Sequence, residues 1–149
     1  MLLYRIAHKK YATDASGEGA RRKGGQWNPR GVSIHYTSST AGLAILEVIV
    51  HVDPDDLPPV QLVTYELPNA LVEDFKGKLP RDWFKVPSPP QLASAGEKWV
   101  NSGSSLALRV PATLFPNGPD MNVLINPNHP DINKLKTISI VDFGFDPRL

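Results

Sequence analysis

Apolar and polar residues alternate in several short runs along the chain, and each run predicts a β-strand. In the run 32–36, the apolar Val32, Ile34 and Tyr36 fall on one face, and the polar residues between them fall on the other. A period of two is the pattern of a strand with one covered face. Similar runs predict further strands over 2–6, 60–67, 105–111, 122–127 and 138–145.

A helical pattern follows the strand at 32–36. The hydroxyl residues 37–40 can cap a helix, and the segment 41–51 is apolar on nearly every helical face until Pro54 prevents its extension. A helix that is hydrophobic all round is expected to be buried. A second short helix is predicted over 92–101, and the proline-rich segment 79–91 is expected to be irregular chain held by aromatic packing.

The fold class follows from the number and kind of these elements. Residues 14–30 are rich in glycine, lysine and arginine and almost free of apolar side chains, so they predict a long loop, which in a compact domain is more often functional than idle. Many short strands with few helices indicate an α+β fold. The prolines are spread along the chain and no repeat is visible, so residues 1–149 are expected to form a single domain.

Composition and charge narrow the classes of function. The hydrophobic share of 41% and the charged share of 21% are typical of a globular protein. A net charge of +1 offers no global electrostatic reason to bind nucleic acid. With no cysteine, disulfides and thiolate catalysis are excluded and an intracellular location is allowed. The four histidines lack zinc-motif spacing, so no metal site is expected.

The apolar runs also argue against export and membrane insertion. The first five residues become polar too quickly for a secretory signal. The run 43–50 is interrupted by Glu47 and is far shorter than the roughly 20 residues that span a bilayer. We therefore expect a cytoplasmic protein with no membrane contact.

Glu47 is the most informative single residue, because it lies within the apolar helical run 43–50. An unpaired carboxylate in a buried helix is costly. Glu47 should therefore point into a polar pocket or pair with a cation. The structural alternative is a glutamate that reaches solvent or forms a salt bridge, and the functional interpretation is a catalytic carboxylate.

Two further residues fall near Glu47 in the predicted topology. Arg5 lies in the first strand, on the face opposite Tyr4 and Ile6, where it could meet Glu47 or a phosphate, although an arginine in a strand is more often a surface residue. Tyr36 ends the strand that precedes the helix of Glu47. A tight turn could bring both side chains to one pocket, and a plain core position is the alternative for Tyr36.

Two turn-rich segments complete the candidate chemistry. Segment 24–31 follows Arg21, Arg22 and Lys23, and its backbone amides and cations suit a diphosphate, although a solvated basic loop explains the charge equally well. The spacing of the nucleotide-binding glycine motifs is absent. In the turn 126–130, His129 is expected to make a local structural hydrogen bond.

Together these segments resemble the RES domain, a family named for its Arg, Glu and Ser. The resemblance runs in the family's order from one end of the chain to the other. The matching stretches are 4–6, 24–28, 35–37, 44–51, 105–111, 126–130 and 145–149.

The resemblance implies a fold similar to the ADP-ribosyltransferase toxins, in which NAD⁺ occupies a cleft between strands as substrate and no cofactor is needed. Members of the family hydrolyse or phosphorolyse NAD⁺, and some transfer ADP-ribose to protein. Carried over, Arg5 and Tyr36 would orient NAD⁺, Glu47 would be the essential carboxylate, and Ser105 or the adjacent Ser104 would be the site serine. The implied substrate-binding residues are Gln26, Trp27, Ser104 and Asn126.

The resemblance also implies a biological setting. The chain would be the toxin of a type II toxin–antitoxin system that depletes cellular NAD⁺. Its partner would be a helix-turn-helix antitoxin of the Xre type that covers the NAD⁺ cleft and makes the DNA contacts, and a homodimer within that complex is a further implied assembly.

Gln26 departs from the family pattern, which usually has arginine at this position. Glutamine keeps hydrogen bonding but loses the charge and the bidentate fork that suit a phosphate. The departure is either a natural variation with altered activity or a weakening substitution. Two alternatives to an NAD⁺ hydrolase therefore stay open, a protein ADP-ribosyltransferase and a catalytically weakened binding module.

Overall fold

The alternating runs form one mixed sheet. In the computed structural model, residues 1–149 are described except for the side chain of Pro54. Three α-helices accompany seven strands, which agrees with the predicted α+β class. The strands are β1 (Leu2–His8), β2 (His35–Ser38), β3 (Val60–Glu66), β4 (Val72–Asp74), β5 (Ala107–Pro111), β6 (Met121–Ile125) and β7 (Lys136–Phe143), and the helices are α1 (Glu18–Lys23), α2 (Ala41–Ile49) and α3 (Pro90–Ser102).

The sheet places β1 and β2, which both come from the first third of the chain, side by side near its centre. The strand order is β4-β5-β6-β2-β1-β3-β7, so β1 and β2 are inner strands. All neighbours are antiparallel except β4 and β5, which run parallel. The three-residue β4 was not predicted, because a strand this short is too brief to show an alternating pattern.

The sheet separates two cores. The face that α2 and α3 cover, here called the helical face, includes Tyr4, Tyr36 and Ser38, and the opposite loop face includes Arg5 and His35. Loops and short 3-10 turns cover the loop face. Its buried cluster consists of Leu3, Ala7, Ala12, Val63, Tyr65, Leu67, Leu106, Ala107, Val123 and Ile125.

Two local predictions near β2 need correction. The strand predicted over 32–36 begins only at His35, because the Val32 amide donates to the Pro29 carbonyl in a turn and its own carbonyl accepts from Asn28 Nδ2. The strand then continues through Thr37 and Ser38, which were expected to be helix caps. Thr40 alone of the hydroxyl run caps α2, accepting from the Leu43 amide at 3.2 Å.

The segment 14–30, predicted to be a loop, contains the short helix α1. Gly17 begins it with a positive φ of 70°, and a Cβ there would lie 2.8 Å from the Ile34 backbone. Glu18 then accepts hydrogen bonds from Arg21 and Arg22, three and four residues later, which stabilises the turn and lowers the pKa of Glu18 to about 2. These local pairs outweigh the glycine-rich, polar composition that predicted a loop.

Helix α2 is less buried than its composition predicts. Leu43 and Ala44 are buried, but Val50, just beyond the helix, is 54% exposed. The helix packs on one side against the sheet, with Ala44 beside Ile6 and Val60, and its residues other than Leu43, Ala44 and the exposed Gly42 are half-buried. Among the described residues, no helix is both long and apolar enough to cross a membrane.

Candidate active site between β1 and β2

The candidate site lies where two neighbouring strands separate. β1 and β2 share one register pair along their described length, Tyr4 with Ser38, and they diverge beyond it. Side chains from both faces of the sheet can therefore reach the same space. A cavity of about 180 Å³ occupies this gap, lined by Arg5, Asp14, Gly17, Glu18, Gly19, Ala20, Ile34, His35 and Tyr36.

Arg5 is the cation of this cavity. It lies on the loop face of β1, half-buried, and its Nη1 donates to the backbone carbonyl of Asp14 at 2.8 Å. The Asp14 side chain instead accepts from the Ser16 amide at 2.8 Å. Among the described residues Arg5 makes no ion pair with a carboxylate, so its charge is available to an anionic ligand.

His35 forms the floor of the cavity. Its side chain is 2% exposed, and its Nε2 lies 3.2 Å from the Tyr65 hydroxyl. The two rings meet edge to face, with centroids 5.4 Å apart. Burial, reinforced by the nearby Arg5, lowers the pKa of His35 from its ordinary 6.5 to about 3, so the ring is neutral near pH 7.

This buried histidine predicts a pH-dependent stability. Because the pKa is about 3 in the folded chain and 6.5 when unperturbed, the unfolded chain binds the extra proton first as pH falls. The free energy of unfolding should therefore decrease between pH 6.5 and 3, by up to about 1.4 kcal/mol per pH unit, with no contribution above that window.

Urea denaturation of the wild-type chain and a His35→Gln variant between pH 4.5 and 7 tests this prediction. Carboxylates contribute equally to both chains, so the variant should show a flatter dependence than the wild type. The exposed His51→Gln variant serves as the control and should keep the wild-type slope. Identical slopes for His35→Gln and the wild-type chain would contradict a buried neutral imidazole.

Tyr36 reaches the cavity from the helical face. Its hydroxyl donates to Asn28 Oδ1 at 2.6 Å and accepts from the Trp27 amide at 3.0 Å, and burial raises its pKa. A Cβ at Gly25 would lie 2.8 Å from this hydroxyl, so the loop can approach only with glycine there. The turn 25–28 therefore holds Tyr36 in a fixed orientation.

Glu47 lies on the same face as Tyr36, at the closed end of the gap. It is half-buried, and its Oε1 accepts from Asn122 Nδ2 at 3.1 Å. Asn122 Oδ1 in turn accepts from Ser38, which stands roughly 7 Å along β2 from Tyr36. Among the described residues no cation pairs with Glu47, so its carboxylate is hydrogen-bonded by the neutral amide of Asn122 instead of neutralised by a positive charge.

The sequence prediction of a shared pocket is met only in part. Arg5 and Tyr36 line the cavity together, whereas Glu47 is not among its lining residues and is linked to β2 through Asn122 and Ser38. Glu47 has the polar surroundings that the sequence required of it. Arg5 lies on the other face and donates to the Asp14 carbonyl, so of the two partners suggested for it, Glu47 and a phosphate, it does not contact Glu47.

The structure places the two candidate serines elsewhere. Ser104 and Ser105 precede β5, and both hydroxyls donate to Glu73 Oε1, at 2.6 and 2.9 Å. The Ser105 hydroxyl also accepts from Trp99 Nε1 of α3 at 2.9 Å. Both serines therefore contact Glu73 of β4, three strands from β2 in the sheet order, and a role toward the substrate stays a prediction.

The remaining predicted residues lie around the turn 25–28 and in the turn after β6. The indole of Trp27 is part of the core, since the residue is 1% exposed and packs edge to face on Phe75. Its backbone amide donates to the Tyr36 hydroxyl. Gln26 has a buried Nε2 without a hydrogen-bond partner among the described residues. Asn126 accepts from the Asn128 amide in its own turn. Their substrate-binding roles stay predictions.

His129 and the basic residues of α1 have local partners. As predicted, His129 serves its turn, with Nδ1 accepting from the Asp131 amide at 3.1 Å. Arg21 and Arg22, considered above for a diphosphate, contact Glu18 at 2.6 and 2.9 Å. No group of three histidine, aspartate or glutamate side chains suited to a metal ion occurs in the part of the chain that the structure describes.

Sequence reasoning missed Asn122, Ser38 and Tyr65. All three are polar groups on covered faces of inner or neighbouring strands, and two of them, Asn122 and Ser38, hydrogen-bond across 84 residues of chain. A polar residue where the alternation demands an apolar one was the available signal. A larger depression of about 600 Å³ near Met1 and Lys136 contains none of the predicted site residues, so we place the site at the smaller cavity.

Known proteins resemble the chain over nearly its whole length. It is 36% identical to a Toxin Res of Yersinia enterocolitica, covering 100% of this chain and 99% of the relative. It is also 36% identical to the Prs ADP-ribosylating toxin of a Sphingobium species, covering 93% and 88%. A Toxin Res of Pseudomonas putida is 34% identical over 100% and 99%.

A solved structure shares the fold. A chain of the crystal structure of the M. tuberculosis MbcT–MbcA toxin–antitoxin complex superposes with a TM-score of 0.75 at 21% identity, covering 95% of this chain and 83% of that one. The RES domain family model matches residues 2–146. The match spans every strand and helix described above. The chain therefore belongs to the RES domain family.

Proposed function

We propose that this chain is the toxin of a toxin–antitoxin system and that it cleaves the nicotinamide–ribose bond of NAD⁺, depleting the cellular pool. The observation that carries the proposal is the gap between β1 and β2. Arg5, a cation, and Tyr36, whose hydroxyl is oriented by Asn28, line one cavity there, and the uncompensated carboxylate of Glu47 stands on the Tyr36 side. The names of the Yersinia and Pseudomonas relatives support the toxin assignment.

The proposed chemistry needs one carboxylate. When the bond between ribose C1 and the nicotinamide nitrogen breaks, its electron pair neutralises the pyridinium ring, and the sugar becomes oxocarbenium-like. Glu47 stabilises that positive charge, and Asn122 keeps its Oε1 oriented. Water or inorganic phosphate then adds an oxygen to C1 and loses a proton to solvent. Nicotinamide leaves neutral, so no acid catalyst is needed.

The other residues bind and orient. Arg5 attracts the diphosphate of the dinucleotide, and Tyr36 contacts the nicotinamide end. The cavity of about 180 Å³ is smaller than the roughly 300–1,000 Å³ of most ligand pockets. It therefore accommodates only part of the dinucleotide.

A protein ADP-ribosyltransferase is the second candidate. The name of the Sphingobium relative, an ADP-ribosylating toxin, favours it. The same C1–nitrogen bond breaks in this reaction, but the oxygen or nitrogen that attacks C1 belongs to a protein side chain. Arg5, Tyr36 and Glu47 would serve both reactions in the same way, so the acceptor alone distinguishes them.

A timed assay of NAD⁺ with the purified chain tests the proposal. In phosphate-free buffer we expect free ADP-ribose, and with phosphate added a phosphorolytic enzyme should yield the ADP-ribose phosphate ester, as mass spectrometry would show. A labelled protein in a cell extract would favour the transferase. The Gln26→Arg variant is run in parallel, since it restores the cation that the resemblance leads us to expect at that position. NAD⁺ left intact by both chains would exclude catalysis and favour a binding module.

The partner follows from the same proposal. The structural neighbour is part of a toxin–antitoxin complex, and a helix-turn-helix antitoxin that covers the gap between β1 and β2 would block access to Arg5 and Tyr36. DNA contacts would then belong to the antitoxin, in keeping with a net charge of +1 on this chain. A cytoplasmic location is part of the proposal, since NAD⁺ would be consumed where it is made.

A further inference from the structure

We propose that Tyr65 and His35 are positioning residues for Arg5, a buried, hydrogen-bonded pair that packs beside the Arg5 guanidinium and fixes it at the cavity. The proposal deepens the function proposed above and rests on it, because Arg5 matters to catalysis only if an anionic substrate occupies the gap. Neither Tyr65 nor His35 needs to touch that substrate.

Strand register brings the three side chains together. Arg5 pairs with Val63 across β1 and β3, and Tyr65 lies two residues further along β3 on the same face. His35 projects from β2 onto this loop face and lies 3.2 Å from the Tyr65 hydroxyl. Both Tyr65 and His35 are 2% exposed, so water cannot replace their contacts.

The protonation state of His35 sets which atom donates and which accepts in its hydrogen bond with Tyr65. His35 is neutral near pH 7, and with its proton on Nδ1 the Nε2 atom accepts from the Tyr65 hydroxyl. The Tyr65 oxygen then offers its lone pairs to Arg5. Burial raises the pKa of Tyr65, whereas the positive charge of the nearby Arg5 acts against that rise. In this proposal Arg5 is held from two sides, by the Asp14 carbonyl, to which it donates at 2.8 Å, and by the Tyr65 hydroxyl that the strand register places beside it.

Two anchors matter because an arginine side chain has many rotamers. Ordering a flexible side chain on binding costs about 0.5–1.5 kcal/mol. A guanidinium that is already fixed in the free protein avoids this loss and presents its remaining N–H groups to a phosphate in one geometry. The predicted result of removing Tyr65's hydroxyl is weaker substrate binding without loss of the chemical step.

A double-mutant cycle with Tyr65→Phe and Arg5→Lys tests the proposal. Tyr65→Phe should raise the KM for NAD⁺ about tenfold, comparable to one hydrogen bond to a charged group, with kcat changed less than twofold. In the Arg5→Lys background Tyr65→Phe should have almost no effect on the KM, because the guanidinium that Tyr65 positions is absent. The control Tyr11→Phe alters an exposed tyrosine and should behave as wild type.

A second variant guards against a purely structural effect. His35→Gln keeps an acceptor for the Tyr65 hydroxyl and should retain more affinity for NAD⁺ than His35→Leu, even where both melt at the same temperature. An unchanged KM in Tyr65→Phe would overturn the proposal. So would an equal rise in KM in the wild-type and Arg5→Lys backgrounds, since Tyr65 would then act independently of Arg5.

Nuclear magnetic resonance tests the positioning of Arg5 by Tyr65 and His35 without substrate. The ¹⁵N-labelled Nε–H of Arg5, assigned with Arg5→Lys, should exchange with solvent faster in Tyr65→Phe, and His35 should show the Nδ1–H tautomer. Unchanged exchange would overturn the proposal even if the enzyme is active. Faster exchange in a chain that leaves NAD⁺ intact would support the positioning of Arg5 while refuting the proposed reaction.

Discussion

Glu47→Gln should reduce NAD⁺ consumption by roughly 10²- to 10³-fold while leaving the fold intact, an effect similar to removing one group that stabilises transition-state charge. The substitution keeps the shape and the hydrogen bond that Asn122 donates to Oε1. It removes only the negative charge that an oxocarbenium-like ribose requires. Loss of rate without loss of melting temperature would therefore locate the effect in the chemistry.

The measurement is the initial rate of NAD⁺ loss at saturating substrate, in whichever background turns NAD⁺ over, the wild-type chain or Gln26→Arg. Glu97→Gln is the matched control, because Glu97 is also a half-buried glutamate on a helix, α3, away from the gap. It should keep the full rate. Equal rates for Glu47→Gln and Glu97→Gln would remove the carboxylate from the mechanism.

Gly96→Ala should destabilise the chain by about 3 kcal/mol or more, at the upper end of overpacking effects. In the middle of a helix this substitution normally stabilises by up to about 1 kcal/mol. Here a Cβ would lie 1.6 Å from the Trp27 carbonyl oxygen, which is backbone and cannot turn aside. Helix α3 would have to move away from the turn 25–28, breaking the contacts of the buried Trp27 indole.

Urea denaturation gives the free energy of unfolding for this comparison. Gly42→Ala is the matched control, since Gly42 lies in α2 with nothing within 4 Å of the added Cβ. It should be neutral or stabilising, by up to about 1 kcal/mol. A Gly96→Ala chain as stable as the wild type would show that α3 and the turn do not pack as described.

Local pattern was enough to predict most elements of the fold. Strands β1 and β3 and helix α2 agree with the prediction to within about two residues, because alternation and a capped apolar run are signals within one element. Helix α1 was missed because its stability comes from Glu18 and its two arginines rather than from an apolar face. Strand β4 forms only by pairing with β5, 33 or more residues away.

For the candidate site, the sequence identifies residues but does not give their positions relative to one another. Glu47, Arg5 and Tyr36 could be singled out from polar chemistry in apolar surroundings and from the family resemblance. Their placement could not, because it depends on where β1 and β2 stop pairing. The partners Asn122 and Tyr65 come from strands distant in sequence, and no local signal places them beside Glu47 and His35.

The opening between β1 and β2 has a consequence for local dynamics. Two inner strands that part after the Tyr4–Ser38 pair give up backbone hydrogen bonds that a continuous ladder would make, and such positions open to solvent at lower free energy than a closed sheet. Amide protons of the residues after Tyr4 in β1, on the edge facing β2, should thus exchange early. A dinucleotide seated in the gap would suppress that exchange, so occupancy and rigidity would rise together.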